Sequence, residues 1–304
     1  MRVTNALVTR SLSRRLLENQ RLLAEAQERV ATGKKVQKMS DDPTAGSAIM
    51  QASGQLRAIE QYRRNVNAVG SRVDAEESAL DQITQLMTRA KELGIGQLGA
   101  TANASSRDAA AAEVKQLFAQ ALQIGNQRFG DEYLFGGNTA QDHAPFDPTQ
   151  SGTAPRFVAL VAGAPVAPEG VRIVEAGAGQ IVAGPHDGRT VFVDTKVLEV
   201  LHDLGAALDA NDEPGLTSAM VALDRSFTGV QTLVGEIGAR QNQVDTIRAQ
   251  LDALEQNLDL YRSDLSEVDM EQAITEMVGR QTAYQAAMLA SSKVLGLSLT
   301  DYLR

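Results

Sequence analysis

Three histidines, each beside an aspartate, are the residues whose types come closest to catalytic or metal-binding chemistry. The three pairs are Asp142-His143, His186-Asp187 and His202-Asp203. An imidazole oriented by a carboxylate is the arrangement used in general-base catalysis and in many metal sites. However, side chains that are adjacent in sequence point apart on a helix or a strand. Adjacency alone therefore does not bring the imidazole and the carboxylate of any pair into contact. The pairs therefore do not predict a catalytic or metal centre.

Two further short motifs are explained better by structure than by chemistry. Gly177-Ala178-Gly179 lacks the third glycine of a dinucleotide-binding loop and does not lead from a strand into a helix. Asn103-Ala104-Ser105 matches a glycosylation sequon, but Ser105 is better explained as the cap of a helix. We therefore predict no catalytic residue, no cofactor and no metal ion for this chain.

The composition excludes several classes of function. The 304 residues carry a formal net charge of −9 and no dense Lys/Arg stripe, so no nucleic-acid partner is expected. The chain has no cysteine, which excludes disulfides, thiolate zinc sites and thiol catalysis. No apolar run approaches the ~18 residues of a membrane span, so no membrane insertion is expected. The N-terminus lacks the apolar core of a signal peptide, which predicts a cytosolic protein unless a route without a cleaved signal exports it.

Long amphipathic helices dominate the pattern at both ends of the chain. Residues 4–32 are predicted to form a helix that Gly33 ends. Asp42 is predicted to be the N-cap of a second helix, with Pro43 in its first turn, where the missing N–H costs nothing. This helix is expected to break at Gly94.

The following helix is expected to start at a capping box, Ser105-Ser106-Arg107-Asp108. Helical pattern resumes at Lys196, crosses a capped turn at Asn211-Asp212-Glu213-Pro214 and continues almost to the C-terminus. Between these helices, Gly136 and Gly137 are predicted to form a turn, and residues 138–195 are rich in proline. Four short runs in this segment have β-type composition: Arg156–Val161, Val171–Glu175, Gln180–Val182 and Thr190–Val193.

Two heptad-spaced apolar seams are predicted to form the core of a helix bundle. Each seam places its residues seven apart, so that they lie along one side of a long helix and must pack against other helices. The predicted core residues are Ile59, Val66, Val73, Leu80, Met87, Ile237, Val244, Leu251, Leu258 and Leu265.

These patterns predict a mainly α protein, an elongated antiparallel helical bundle or coiled coil whose N- and C-terminal helices pair, with a small β-rich insert domain. Three domains are predicted. Residues 1–40 with 269–304 form a terminal helical domain, residues 41–137 with 196–268 form a long-helix bundle, and residues 138–195 form the surface insert.

The terminal helices carry apolar stripes that a pair of helices has too little interior to bury. Ordering the backbone costs ~1–2 kcal/mol per residue, so we expect these helices to be weakly ordered alone and to become ordered against neighbouring subunits. The predicted assembly interface is Leu12, Leu16, Leu23, Val30, Ile274, Met277, Tyr284, Met288, Leu295, Leu297, Leu299 and Tyr302.

Three motifs in these same regions resemble the flagellin superfamily. Thr32-Gly33-Lys34-Lys35-Val36, followed by Ser40-Asp41-Asp42-Pro43, is similar to the segment that precedes its long N-terminal helix. Tyr133-Leu134-Phe135-Gly136-Gly137 and the ending Ser298-Leu299-Thr300-Asp301-Tyr302-Leu303 are similar to the hook–filament junction proteins of that superfamily. The resemblance covers about residues 1–137 and 196–304.

The resemblance implies a structural protein of the bacterial flagellum that is involved in motility. Such a protein is expected outside the cell, exported without a cleaved signal through the flagellar type III apparatus. Its implied partners are hook-associated protein 1, flagellin, further copies of itself in a ring or helix, and an export chaperone at the C-terminal helix. Assembly is expected to depend on non-covalent helical packing.

Three alternatives stay open on the sequence alone. The nearest is flagellin itself, the filament subunit, although the acidic-aromatic ending Asp301-Tyr302 favours the junction protein. A cytosolic coiled-coil adaptor would use similar heptads but would never be exported. An enzyme carried by residues 138–195 would need a convergent set of polar residues that this segment does not display.

Overall fold

The computed structural model describes residues 2–99, 103–139, 143–152, 155–161, 163–165 and 168–302. Within these ranges it also describes the side chains, except those of residues 2–6, 8, 9, 139, 161 and 294–302. Six α-helices lie within these ranges: α1 (Arg2–Thr32), α2 (Pro43–Gln97), α3 (Ala104–Gly125), α4 (Val197–Asp209), α5 (Glu213–Ser266) and α6 (Met270–Tyr302). The strands there are β1 (Arg128–Phe129), β2 (Glu132–Tyr133), β3 (Leu160–Val161), β4 (Ala164–Pro165), β5 (Ile173–Gly177) and β6 (Gln180–Ala183).

The strands pair into three separate antiparallel ribbons, β1 with β2, β3 with β4, and β5 with β6. The longest ribbon, β5–β6, places Val174 opposite Val182 and Glu175 opposite Ile181. The Asn65 side-chain amide on α2 donates to the backbone oxygen of Glu175, 2.9 Å away, and so holds this ribbon against the helix. The predicted fold class, mainly α with a small β insert, is confirmed.

Helix α2 starts at a side-chain cap and does not break where a break was expected. Oδ1 of Asp42 accepts hydrogen bonds from the backbone N–H groups of Thr44 and Ala45, at 3.0 and 2.9 Å. The predicted break at Gly94 is wrong, because α2 continues to Gln97. Gly94 is buried against Met220, whose sulfur would lie 2.2 Å from an added Cβ, so the glycine permits close packing within the helix.

The N-cap of α3 is Asn103, so the expected cap at Ser105 is wrong. Oδ1 of Asn103 accepts from the backbone N–H of Ser106 at 2.8 Å, and Oγ of Ser106 accepts from the N–H of Asn103 at 3.1 Å. The capping box therefore begins two residues earlier than expected. The side chain of Asn103 therefore serves as a helix cap.

One of the four expected β-runs is helical. Residues Arg189–Asp194 form a short π-helix. Oδ1 of Asp187 accepts from both the backbone N–H and the hydroxyl of Thr190, which starts a helical turn. Phe192 is buried against Phe135 and Phe146, with ring centroids 5.2 and 4.9 Å apart. Local capping and aromatic packing override the β-propensity of this run.

The C-terminal helical pattern is interrupted twice, at the expected turn between α4 and α5 and again between α5 and α6. Helix α5 ends at Ser266, and α6 begins at Met270 with Asp269 as its cap, since Oδ1 of Asp269 accepts from the N–H of Glu271 at 2.9 Å. Val268 lies in this break, where its N–H donates to the carbonyl of Gly33 at 2.9 Å.

The chain divides into two compact units. The terminal unit comprises residues 1–58 and 254–304, and the central unit comprises residues 59–253. The central unit has large buried side chains, including Leu80, Met87, Phe135, Leu204 and Ile237, each fully buried. In the described part of the terminal unit, the buried apolar residues are all alanines: Ala26, Ala45, Ala52 and Ala273. The three-domain division made from the sequence stays a prediction.

Candidate assembly interface

Helices α1 and α6 of the terminal unit pack together through small residues. Ala26 and Ala273 are 2% and 4% exposed. The end of α1 lies beside the start of α6, where Arg29 forms an ion pair of 3.1 Å with Glu276, so the two helices are antiparallel. Small side chains allow the helices to approach closely, but they leave little apolar area buried between them.

A short backbone pairing joins the α1–α2 loop to the α5–α6 break. The N–H of Lys35 donates to the carbonyl of Ser266 at 2.8 Å, and the N–H of Val268 donates to the carbonyl of Gly33 at 2.9 Å. Gly33 has a φ of +67°, a conformation in which a glycine is preferred. These two hydrogen bonds fix the end of α1 relative to the start of α6.

Large apolar side chains of the terminal unit lie exposed. Leu17 is 64% exposed and Leu289 is 66% exposed. Scattered exposed leucines are normal on a protein surface, but here the unit exposes its large apolar residues and buries alanines. The exposed large apolar residues described in this unit are Leu7, Leu17, Met39, Met50, Leu254, Leu260, Tyr261, Met270, Ile274, Val278, Met288 and Leu289.

The residues predicted for the assembly interface fall into three groups. Ile274 and Met288 are exposed, at 45% and 49%. Six are half-buried: Leu12, Leu16, Leu23, Val30, Met277 and Tyr284. The side chains of the other four lie outside the described residues: Leu295, Leu297, Leu299 and Tyr302.

The sequence pattern missed the most exposed apolar positions of this unit. The helical spacing of apolar residues selected the main apolar face of α1. This face includes Leu12 and Leu16, which are half-buried in the folded chain. Leu7 and Leu17 belong to a sparser row on the same helix, interrupted by Arg10 and Arg14. The spacing of three, four and three residues along this row was the signal that could have revealed it.

The predicted bundle-core residues lie mostly in the central unit. Eight of them are buried: Ile59, Val66, Val73, Leu80, Met87, Ile237, Val244 and Leu251. Leu258 and Leu265 belong to the terminal unit and are half-buried. The predicted turn residues Gly136 and Gly137 follow β2, and Gly137 has a φ of +60°.

The histidines are placed apart from one another and play different parts. His143 is exposed, and His202 is half-buried with its Nδ1 3.0 Å from Nη2 of Arg156. His186 is buried in the central unit, where its Nδ1–H donates to Oε1 of Glu76 at 2.6 Å. Among the described residues, no group of three His, Asp or Glu side chains is arranged to hold a metal ion.

His186 is held between carboxylates of two long helices. Its Nε2–H donates to Oε2 of Glu236 on α5 at 3.0 Å, and its backbone N–H donates to Oε2 of Glu76 on α2 at 3.0 Å. Burial alone lowers the pKa of His186, but the hydrogen bond and charge of Glu76, aided by Glu236 and opposed by Arg240, hold this pKa above its ordinary value. The His186 side chain and backbone therefore fasten the end of the insert to both helices.

Within the described residues, no helix is long and apolar enough to cross a membrane. The geometry that stands out is thus the exposed apolar surface of the terminal unit, which is suited to packing against other proteins.

Comparisons with known proteins match both ends of the chain. Residues 3–140 match the family model of the bacterial flagellin N-terminal helical region, and residues 220–303 match that of the C-terminal helical region. Flagellar hook-associated protein 3 of Escherichia coli is 29% identical over 293 residues, which cover 90% of each chain. A flagellin of Halalkalibacterium halodurans is 25% identical and covers 92% of this chain and 91% of its own.

Among solved structures, FlgL of Xanthomonas campestris superposes with a TM-score of 0.60 at 16% identity, covering 70% of this chain and 99% of its own. At this identity the likeness concerns the fold.

Proposed function

The chain belongs to the bacterial flagellin superfamily and is a structural protein of the flagellum, and on that premise we propose that it forms the junction between the hook and the filament. The match to a hook-associated protein 3 over nine-tenths of both chains supports this role. The single structural observation that carries the proposal is the terminal unit, which buries alanines and exposes leucines.

Covering the exposed apolar surface supplies the free energy for assembly. Full burial of an exposed leucine or methionine side chain is worth about 1.5–3 kcal/mol. Leu17, Leu260 and Leu289 are each about two-thirds exposed. Most of the free energy of burying each side chain is therefore gained only when another subunit covers it. Several such residues offset the loss of translational and rotational freedom on association.

The proposed partners are hook-associated protein 1 on the hook side and flagellin on the filament side. Further copies of the chain complete a ring or helical layer at the junction. In the cytosol, an export chaperone covers the C-terminal helix α6, whose exposed Met288 and Leu289 would otherwise promote aggregation. The chain then leaves through the flagellar export apparatus without a cleaved signal peptide and functions outside the cell.

The three-domain division belongs to this proposal. Residues 1–40 with 269–304 form the inner tube, residues 41–137 with 196–268 form the surrounding bundle, and residues 138–195 face outward. The role requires no catalysis. His186, the most buried histidine, is engaged by two carboxylates in a structural contact.

Deletion of the gene tests the junction role. We expect cells that keep their hooks, lose their filaments and release unassembled flagellin into the medium. Complementation with the intact gene should restore filaments. Filaments of normal length on the deleted strain would overturn the proposal.

The second candidate is the filament subunit, which the 25% identical flagellin favours. The same strain separates the two roles. A junction protein is needed in few copies and its loss releases a different, abundant flagellin. If this chain is instead the main protein of sheared filaments, the filament role is correct.

A further inference from the structure

Charge is segregated along the terminal unit. Residues 2–17 and 277–302, which lie at one end of the antiparallel α1–α6 pair, contain six basic residues and one acidic residue. Residues 18–58 and 254–276 contain seven basic and twelve acidic residues. The described residues at one end of the unit thus have a formal net charge of +5, and residues 18–58 with 254–276 have −5, in a chain whose total is −9.

The basic end presents a mixed row of arginines and leucines, which we call the basic patch: Leu7, Arg10, Arg14 and Leu17. Spacings of three and four residues place the row on one face of α1. Leu7 is 56% exposed and Leu17 is 64% exposed. Arg10 and Arg14 are exposed, and neither has an ion-pair partner among the described residues.

The opposite end presents the complementary set, which we call the acidic patch: Leu260, Asp264, Glu267 and Glu271. These residues surround the α5–α6 break, and Leu260 is 66% exposed. The three carboxylates are exposed, and none has an ion-pair partner in the part of the chain that the structure describes.

The neighbouring loop contributes Lys34 and Lys35, and Nζ of Lys35 donates to the backbone carbonyl of Asp264 at 3.4 Å. That contact leaves the carboxylate of Asp264 available, so the loop reduces the negative charge around the patch without pairing it.

The two patches of one molecule are too far apart to cover each other. Leu17 lies fifteen residues before the end of α1 at Thr32, where α1 meets the start of α6. At 1.5 Å per residue this is about 22 Å, and Arg10 lies about 33 Å away. The basic patch of one molecule can therefore meet an acidic patch only on another molecule.

We propose that the basic patch of one copy docks on the acidic patch of the next copy. Because two different surfaces meet, the contact is head-to-tail and can propagate from copy to copy along a ring or helix. Opposite charges fix the register and speed the encounter, while the leucines supply buried apolar area. This inference rests on the proposed function and deepens it by naming the surfaces through which copies meet.

Disulfide trapping tests the contact directly, because the chain has no cysteine of its own. The variant Leu17→Cys/Leu260→Cys, oxidised at low ionic strength, should give a ladder of covalent dimers, trimers and larger species on a denaturing gel. An internal disulfide is excluded, since a disulfide requires Cα atoms within about 7 Å. The single variant Leu17→Cys can form dimers at most. A double variant that gives only monomers, or no more dimer than the single variants, would overturn the proposal.

Charge reversal supplies the matched control. In the double-cysteine background, Arg10→Glu/Arg14→Glu should lower the trapped fraction about tenfold, and Asp264→Arg/Glu267→Arg should do the same. Mixing the two reversed proteins should restore trapping, because each reversed patch then meets a complementary one. Reversing two exposed arginines outside the patches, Arg57→Glu/Arg225→Glu, should have little effect. Trapping that is indifferent to all these reversals would show that charge does not select the partner copy.

The outcome is separable from that of the proposed function. One possible result is that the charge-reversed variants fail to complement the gene deletion, while Leu17→Cys/Leu260→Cys without charge reversal never forms disulfide-linked copies. The junction role then stands and a second copy is ruled out as occupant of the patches. If copies link as expected but the deleted strain makes normal filaments, the patches stand and the junction role fails.

Discussion

Nδ1 of His186 lies 2.6 Å from Oε1 of Glu76, a carboxylate that is completely buried in the central unit. The residue pair joins the end of the β-rich insert to α2 across 110 positions of sequence. A buried charge of this kind is stable only when it is paired, so the contact ties the fold of the insert to the protonation of one imidazole.

The pH dependence of stability follows from this pair. The folded-state pKa of His186 is raised above its ordinary value of 6.5. The stabilisation is therefore fully present below about pH 6.5 and is lost as the pH rises through the folded-state pKa. We expect the free energy of unfolding, measured with urea at several pH values, to fall over that range.

The variant His186→Gln should remove this pH dependence and destabilise the protein by about 3–5 kcal/mol, because Glu76 is left buried without its cationic partner. The exposed His143→Gln serves as the control and should change neither quantity. A wild-type pH profile that persists in His186→Gln would assign the titration to another group.

Gly137 is required by its surroundings as well as by its backbone angle. Its φ is +60°, and an added Cβ would lie 2.3 Å from the backbone oxygen of Glu169. Gly130 has a similar φ of +64° but nothing within 4 Å, so Gly130→Ala isolates the conformational cost of about 1–2 kcal/mol. Gly137→Ala should cost clearly more in urea denaturation. Equal losses for the two variants would show that the backbone of Glu169 moves away freely.

The cap of α3 offers a test between two neighbouring polar residues. Asn103→Ala should reduce the free energy of unfolding by about 0.5–2 kcal/mol, since it removes the side-chain acceptor for the N–H of Ser106. Ser105→Ala should be almost neutral, because Ser105 is exposed and lies inside the first turn. The reverse order of the two effects would restore Ser105 as the cap.

A repeat of seven places residues such as Val66 and Val73 on one side of α2, and both side chains are buried there. Periodicity could not reveal that Gly94 is a packing residue, since that depends on Met220, which is distant in sequence. It also could not identify the Thr190 turn, where the side chain of Asp187 decides the local structure.

The assembly interface stays a prediction, and the structure shows only how exposed its described residues are. The sequence indicated apolar terminal helices that need a partner, but periodicity does not say which apolar face the chain itself covers. Leu12 is half-buried while Leu17 is exposed, and only the packing of α1 on α6 distinguishes them. The ion contacts of His186 with Glu76 and Glu236 were likewise missed, because they join three separate segments.

Folding and assembly should be separable by mutation. Leu80→Ala empties part of the central core and should cost about 2–5 kcal/mol of unfolding free energy. Leu17→Asp changes a side chain that is 64% exposed and should leave the free energy of unfolding within about 0.5 kcal/mol of the wild type. We expect it nevertheless to abolish incorporation into flagella, measured by immunoblotting of sheared filaments with their hooks. Normal incorporation of Leu17→Asp would contradict a role for this surface.

The accessibility of position 17 before and after assembly tests the central claim most directly. In Leu17→Cys, the introduced thiol is the only one in the chain and can be labelled with a maleimide. We predict rapid labelling of the free protein and at least tenfold slower labelling in isolated flagella. The variant Ile181→Cys, on the exposed face of the β5–β6 ribbon, controls for access of the reagent. Equally rapid labelling of Leu17→Cys in both states would show that assembly leaves this surface uncovered, and would contradict the account.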